Sequence, residues 1–349
     1  MGATIKLATA TTPNFTDVLQ SCQNVIASSF GGRGERSRTV IESDISVGMS
    51  KAGKHHYIPI FYLKQWAGQD HMVCEYKRRY HGVLPRRVFP DATGYEHGLN
   101  RIPGLPPHEA DFLETYFFGI TDDFASKALH ILLSGNETLN FSQDVKSGWS
   151  RFITSLMMRN PEAVERSMAA ARALYERARS ELEADYAQRR NPDDPPTYGE
   201  FAAQYSPNPA GRAGAILLQK VIDNPMIGSL INNMRWLVLK AHSPKFTLLT
   251  SDRPVLMTNG LKEENSQIII PISPWHVFVA TNNAKTERYV ESVFARGQMI
   301  QQVNERVTLQ SRKYVYGLDD SQLAFVSKRL GKAYTSNPLE SIQIDIPEP

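Results

Sequence analysis

Helical and strand patterns are segregated along this chain. Between Pro107 and Lys240 apolar residues recur at helical spacing, and the last third is rich in short apolar runs of strand length. Segregation of this kind points to an α+β fold, mostly helical, with one mixed or antiparallel sheet joining an N-terminal hairpin to C-terminal strands.

Punctuation divides the helical part. Pro107 to Ser134 carries Phe112, Leu113, Tyr116, Phe117, Ile120 and Phe124, with Gly119 as a candidate break. Ser142 is placed to cap a helix that runs to Arg159 with Trp149, Phe152 and Ile153 on one face. Asn160 and Pro161 then form an N-cap and first-turn pair for a long helix to about Arg190. Its seam of Val164, Met168, Ala171, Tyr175, Ala178, Leu182 and Tyr186 suits packing against one partner helix. Too few heptads are sustained for a coiled-coil dimer, so the reading is an arm laid along the domain. Helix resumes from Ala213 to Lys240, with a kink at Asn224-Pro225.

The strand signals lie on either side. Met72 to Lys77 and Gly82 to Val88 form a hairpin pattern, and Pro85 consigns the second strand to an edge. Lys245 to Thr250, Gln267 to Ile272, His276 to Thr281 and Lys313 to Tyr316 read as further strands. Lys285 to about Val307 reads as one helix, and Asp320-Ser321 caps a last helix to Leu330.

Residues 1–48 differ in kind. Thr, Ser, Gly and Asn dominate them, Gly31 to Arg36 is a charged Gly-rich run, and Phe15 to Ser28 is a short amphipathic piece. The expected organisation is a flexible extension (1–48), one α+β domain (49–335) with the arm at 161–190, and a tail (336–349). A net charge of +3 and a pI near 8.7 are too weak a bias to argue for nucleic acid by charge alone. No apolar run approaches the roughly 18 residues of a spanning helix, the N-terminus lacks a secretory pattern, and Cys22 and Cys74 have no zinc-like or redox spacing. These features point to a cytoplasmic protein with no membrane partner.

Candidate site residues are few. His55-His56-Tyr57-Ile58 precede Pro59, which fits a first helical position and would set the histidines beside anion-attracting N–H groups. In extended backbone successive side chains diverge, so one histidine would meet a ligand while the other packs or caps. A helix start favours the neutral imidazole, which can bind metal or accept a proton. Ser251-Asp252-Arg253-Pro254 follows a buried strand directly; Asp252 suits acid–base or metal chemistry, or an ordinary turn. Arg159 could hold a phosphate or carboxylate bidentately, or pair with Asp252 or Glu114. Gly-x-Ser-x-Gly, His-Glu-x-x-His and Cys-x-x-Cys motifs do not occur.

Five segments appear in order: His55 to Pro59 with Phe61-Tyr62-Leu63; Phe152-Ile153 with Arg159-Asn160-Pro161; Phe246 to Val255; Ile269 to Pro274; and Asn304 with Lys313 to Tyr316. Together they resemble the bacterial family catalogued as domain of unknown function 4238, over about residues 53–318. The resemblance implies polar family positions at His56, Arg159, Ser251, Asp252 and Asn304, and an acidic one at Glu114. It supplies no reaction, and the N-terminal extension departs from the family pattern.

Two functions are in view. The first is a hydrolase acting on phosphate esters or nucleic acid, nuclease-like and defence-related. His56, Asp252 and Glu114 would be catalytic, and His55, Arg159, Ser251 and Asn304 would bind substrate. A divalent metal is its candidate cofactor, with His56 and Asp252 as candidate ligands, and a nucleotide or nucleic acid its candidate partner. The second is a non-enzymatic binding or adaptor module, in which the polar residues form a structural buried network and the arm recruits a partner.

Overall fold

A computed structural model describes residues 53–134, 141–205, 207–241, 246–295 and 298–332. The readings made on residues 1–48 and 336–349, Cys22 included, lie outside the described residues.

The chain opens with strand β1 (Lys54–His56), the short helix α1 (Ile60–Leu63) and one 3₁₀ turn (Lys64–Trp66). Strands β2 (Val73–Arg79), β3 (Gly82–Val88) and β4 (Tyr95–His97) follow. Helix α2 (Pro107–Ala110) leads into a π-helical stretch, Leu113–Phe118, that runs on into α3 (Gly119–Leu133). The helical layer continues with α4 (Gln143–Met158), α5 (Pro161–Arg189), α6 (Tyr198–Tyr205), α7 (Pro209–Ile222) and α8 (Pro225–Asn233). Then come β5 (Arg235–Lys240), β6 (Thr250–Ser251), β7 (Leu256–Thr258), β8 (Gln267–Ser273) and β9 (His276–Thr281). Helices α9 (Ala284–Ala295) and α10 (Gln298–Gln310), strand β10 (Tyr314–Gly317) and helix α11 (Leu323–Ser327) complete the order.

The fold class is α+β, with all strand pairs antiparallel. The expected single sheet divides into a β1–β4 pair, a sheet in the order β3-β2-β10-β6 and a sheet in the order β5-β9-β8-β7. The N-terminal hairpin and β10 do share a sheet, with the Pro85 strand at its edge. Strand β10 has β2 on one side and β6 on the other, so both its edges are taken. The β8–β9 hairpin therefore pairs elsewhere, with β5 and β7.

That third sheet is covered on both faces. Ile268, Ile270, Ile272, Phe278 and Ala280 join Trp149 and Phe152 of α4 in the main core. Ile269, Val277 and Val279 join Val290, Phe294, Ile300, Val303 and Val307 of α9 and α10. Alternate residues of one strand thus feed two cores, which is why its run is apolar at nearly every position.

Several boundaries differ from expectation. Arg235 to Lys240 is strand β5, not the end of a helix, because Trp236 to Leu239 pair with Val277 to Ala280 across the sheet. Asn224 and Pro225 start a separate helix there instead of kinking one. Of the expected 245–250 strand only Thr250 lies in a paired strand, β6, which runs on to Ser251, and residues 242–245 lie outside the described residues. Gly119 does not break its helix; the departure is the π stretch just before it. The caps at Ser142 and Asn160 are present, each accepting the backbone N–H three residues on.

The arm α5 folds back on its own chain. Its buried Val164, with half-buried Met168 beside it, shares a core with Leu218 and Ile222 of α7. Leu182 and Tyr186 pack with Tyr198 and Ala202 of α6. Gly214 lets α7 approach closely: a Cβ there would meet Met168 and Ala171 of α5. The seam expected to pack against one partner helix meets two within the chain, α7 near its start and α6 near its end.

Candidate functional site

His55 and His56 lie in an extended strand and not at a helix start. Pro59 occupies the N-cap, with ψ 142°, and α1 is only four residues long. The expected anion-attracting helix end beside the histidines is therefore not built. The divergence expected of neighbours in a strand is.

His55 is 1% exposed. Its Nδ1 accepts the Asn100 backbone N–H at 2.9 Å, which leaves the ring proton on Nε2, 3.4 Å from Asp111 Oδ1. Burial lowers its pKa against the pull of Asp111, so the ring is neutral near pH 7. His56 is half-buried and points to the other side. Its Nε2 lies 3.4 Å from the Asp91 carbonyl, which can only accept, so the lone pair of the neutral ring sits on Nδ1. Burial pushes the His56 pKa down to about 4, outweighing the Asp91 hydrogen bond; the Lys54 and Arg159 charges act in the same direction.

Glu114 stands between these parts. It lies in the π stretch, where Gly119 N–H bonds the Glu114 carbonyl, five residues back. Single π turns inserted in α-helices often mark functional positions. The Glu114 carboxylate accepts from Asn100 Nδ2 at 3.0 Å and from the backbone N–H of His56. Its Oε2 is 4.0 Å from His55 Nδ1, and the side chain keeps 13% exposure. Burial raises its pKa to about 7 in spite of the Asn100 bond and the Arg159 charge.

Arg159, 1% exposed, forms the outer support. Its Nη1 and Nη2 hold Asp122 at 3.2 and 3.0 Å, a bidentate pair, and its guanidinium lies over the Phe118 and Phe152 rings. Its ion-pair partner is thus Asp122, not Asp252 or Glu114. Asn100 Oδ1 and Arg159 Nε are buried with no hydrogen-bond partner, and the buried Asp111 Oδ1 has only the His55 Nε2–H, 3.4 Å away. Buried polar atoms are rarely left so.

The other expected residues gather at a second place. Asp252 is 4% exposed, and its carboxylate accepts three backbone N–H bonds, from Arg312 (3.0 Å), Lys313 (2.6 Å) and Tyr314 (3.1 Å). Burial pushes its pKa up to about 6 while these donors pull it down. Its charge acts on the buried hydroxyls of Tyr57 and Tyr316. Ser251 Oγ closes the turn by accepting the Arg253 N–H at 3.1 Å, whereas the Asp252 carboxylate, expected as the acceptor of an ordinary turn, reaches across to the backbone of residues 312–314. Asn304, fully buried, accepts from Leu249 N–H and donates to the Thr247 carbonyl and Gln322 Oε1. These groups tie β6, β10 and α10 together.

The structure thus brings His55, His56, Glu114 and Arg159 to one cluster and sets Ser251, Asp252 and Asn304 in another. Among the described residues no group of three or more His, Cys, Asp or Glu side chains is arranged to hold a metal ion. The candidate metal ligands His56 and Asp252 face backbone groups instead. Sequence reasoning missed Asn100, Asp111 and Asp122. The two acids carried a usable signal, since with Glu114 they fall at steps of three and eight along one helical run; Asn100, in a loop, carried none.

A model of the family described as Protein of unknown function (DUF4238) matches residues 54–321. The chain belongs to the DUF4238 family. The match covers both clusters of this DUF4238 chain, from His55 to Tyr314. No curated protein and no solved structure matches it. No helix among its described residues is long and apolar enough to cross a membrane.

Proposed function

We propose that this DUF4238 protein is a hydrolase of phosphate esters, acting on a nucleotide or nucleic acid, with Glu114 as its acid–base group. The observation that supports this reading most is the Glu114 carboxyl, pushed up to about pKa 7 on a π turn 4.0 Å from the neutral His55 ring and held by Asn100, whose buried Oδ1 has no hydrogen-bond partner. A group half-ionised near neutral pH can both take and give a proton. Glu114 takes the proton of a water whose oxygen attacks phosphorus. The bond from phosphorus to the leaving oxygen breaks, and that oxygen is protonated by solvent. His55 acts through Asn100, whose backbone and side-chain N–H groups join the ring to the carboxylate. Arg159 positions Asp122 and supplies positive potential. In this reading Asp252 is a positioning residue, its oxygens already taken by three N–H donors.

The test is a screen of the purified protein for nuclease and nucleotide-hydrolase activity, repeated with Glu114→Gln. The expected result is turnover that falls at least about 100-fold in the variant, within the range for loss of an acid–base group. An acidic limb near pH 7 in the rate profile of the parent should be absent from the variant. Turnover unchanged in Glu114→Gln would refute the assignment.

A second reading is a non-enzymatic binding module with a structural polar network. It is favoured by the saturation of Asp252 and Asn304 and by the bidentate Arg159–Asp122 pair. It predicts no turnover on any phosphate ester. The arm α5 is a weaker recruiting surface than its seam suggested, because α6 and α7 cover that seam.

A further inference from the structure

The β2–β3 hairpin is basic along its length, with Lys77, Arg78, Arg79, Arg86 and Arg87. Side chains of a strand alternate between the faces of its sheet. Arg78 and Arg87 go to one face, where they donate to the carbonyls of Leu330 and Leu318. Lys77, Arg79, Leu84 and Arg86 go to the other, which continues onto Tyr314 of β10, the register partner of Lys77. At its inner end this second face is closed, since Val73, Val88 and Tyr316 belong to the main core. Its outer end is open: Leu84 is 55% exposed, and Tyr80, in the hairpin turn, is 97% exposed.

The lysines around this open end rest on tyrosine rings. Lys77 Nζ and Lys313 Nζ lie 5.0 and 5.3 Å from the Tyr314 ring centroid, and Lys54 Nζ lies 4.5 Å from that of Tyr95. A ring places an ammonium without neutralising it. The carboxylates here are already engaged: buried Glu75 holds Arg86, and Glu96 holds Lys313. Among the described residues Lys54, Lys77 and Arg79 have no carboxylate partner. The surface therefore keeps an excess of positive charge that an anion would relieve.

The same surface adjoins the Glu114 cluster. Tyr95 is the register partner of His56, and its ring centroid lies 5.3 Å from that of the imidazole. The His56 backbone N–H is the one that Glu114 accepts. The strand pair β1–β4 thus carries lysine-bearing tyrosine on one side and the candidate acid–base group on the other.

We propose that this open end of the β3-β2-β10 sheet, with the β1–β4 pair beside it, binds single-stranded nucleic acid. Lys54, Lys77, Arg79 and Lys313 take successive phosphates, and Tyr80 stacks on a base. Cations alone would suit any polyanion, but a fully exposed ring among them suits an unpaired base, whose face a duplex keeps within its own stack. The proposal deepens the hydrolase reading and rests on it for the chemistry that follows binding.

The test follows a labelled single strand of about ten nucleotides, within the site sizes of known single-strand grooves, by fluorescence anisotropy across a salt series. The full chain is used as the parent and as Glu114→Gln, so that the strand is not consumed. Log affinity should fall with log salt by about 0.7 for each phosphate held. Lys77→Ala with Lys313→Ala should lower that slope by about 1.4. Tyr80→Ala should weaken binding about tenfold and leave the slope unchanged, in protein that melts as the parent does. No binding by the parent would overturn the proposal, and so would variants that keep its slope and affinity. Equal affinity for a duplex of the same length would overturn it too. Polyglutamate bound as tightly as the strand, and independently of Tyr80, would assign the surface to an acidic protein. The hydrolase reading fails separately. A strand bound as described but never cleaved by the parent refutes that reading and leaves the surface. A strand cleaved at equal rates by the parent and the double lysine variant leaves the hydrolase and overturns the surface.

Discussion

His55 Nδ1 and Glu114 Oε2 lie 4.0 Å apart, and Asn100 holds both. Its backbone N–H donates to the ring and its side-chain N–H to the carboxylate, at 2.9 and 3.0 Å. One loop residue thereby sets the ring's tautomer and the carboxylate's orientation. Neither distance depends on the order of these residues in the chain; both arise because the loop after β4 is clamped between β1 and the π stretch.

The buried carboxyl makes stability depend on pH. The folded-state pKa of Glu114 is raised to about 7, so its favourable contribution is present below the ordinary carboxylate value and is lost as pH rises through 7. Glu114→Gln keeps the shape without the charge. The variant should gain on the parent between pH 5 and pH 8, by up to about 3 kcal/mol. Denaturant titrations at these two pH values measure the difference. A constant offset would mean that Glu114 titrates as an ordinary carboxylate.

Asp252→Ala should destabilise the fold. The change leaves three backbone N–H groups, of Arg312, Lys313 and Tyr314, without their acceptor. Each costs about 1–3 kcal/mol when left buried and unpaired. A fall of several degrees in melting temperature is expected, and an unchanged value would return Asp252 to the candidate catalytic groups.

The Arg159–Asp122 pair should behave asymmetrically in a double-mutant cycle. Asp122→Ala strands a guanidinium that is 1% exposed, at a cost of about 3–5 kcal/mol. Replacing both, as Arg159→Met with Asp122→Ala, removes the buried charge together with its partner and should cost less than the single change. Additive losses in chemical denaturation would show that the two residues do not interact.

Gly214→Val tests the packing of the arm. A side chain there meets Met168 and Ala171 on the facing helix. Forcing α5 and α7 apart should cost about 1–3 kcal/mol. Limited proteolysis should then cut the arm faster than in the parent, and equal rates would show that the crossing is loose.

The elements legible in the sequence share one property: their signal is local. The caps at Ser142 and Asn160, the β2–β3 hairpin, the Pro85 edge strand and the α5 seam are all written in neighbours a few residues apart. Strand β5 is not legible in this way. Trp236 to Leu239 are apolar at every position, a run that fits a buried strand or a buried helix equally well until β9 pairs with it. The start of the Pro59 helix is ambiguous for a related reason. Proline's φ suits an N-cap as well as a first helical position, and its ψ is left open until tertiary packing fixes the turn.

The candidate site divides in the same way. Residue type alone marks His55, His56, Glu114, Arg159 and Asp252 as chemically able, since imidazole, carboxylate and guanidinium are rarely placed in a core without a partner. Which partner each one meets is decided by contacts across the chain: Asn100 for His55 and Glu114, Asp122 for Arg159, and the β10 backbone for Asp252. Propensity and capping act over a turn or two and can be read in one dimension. Desolvation and hydrogen-bond pairing depend on which segments lie against each other, and only packing of the sheets and helices sets that.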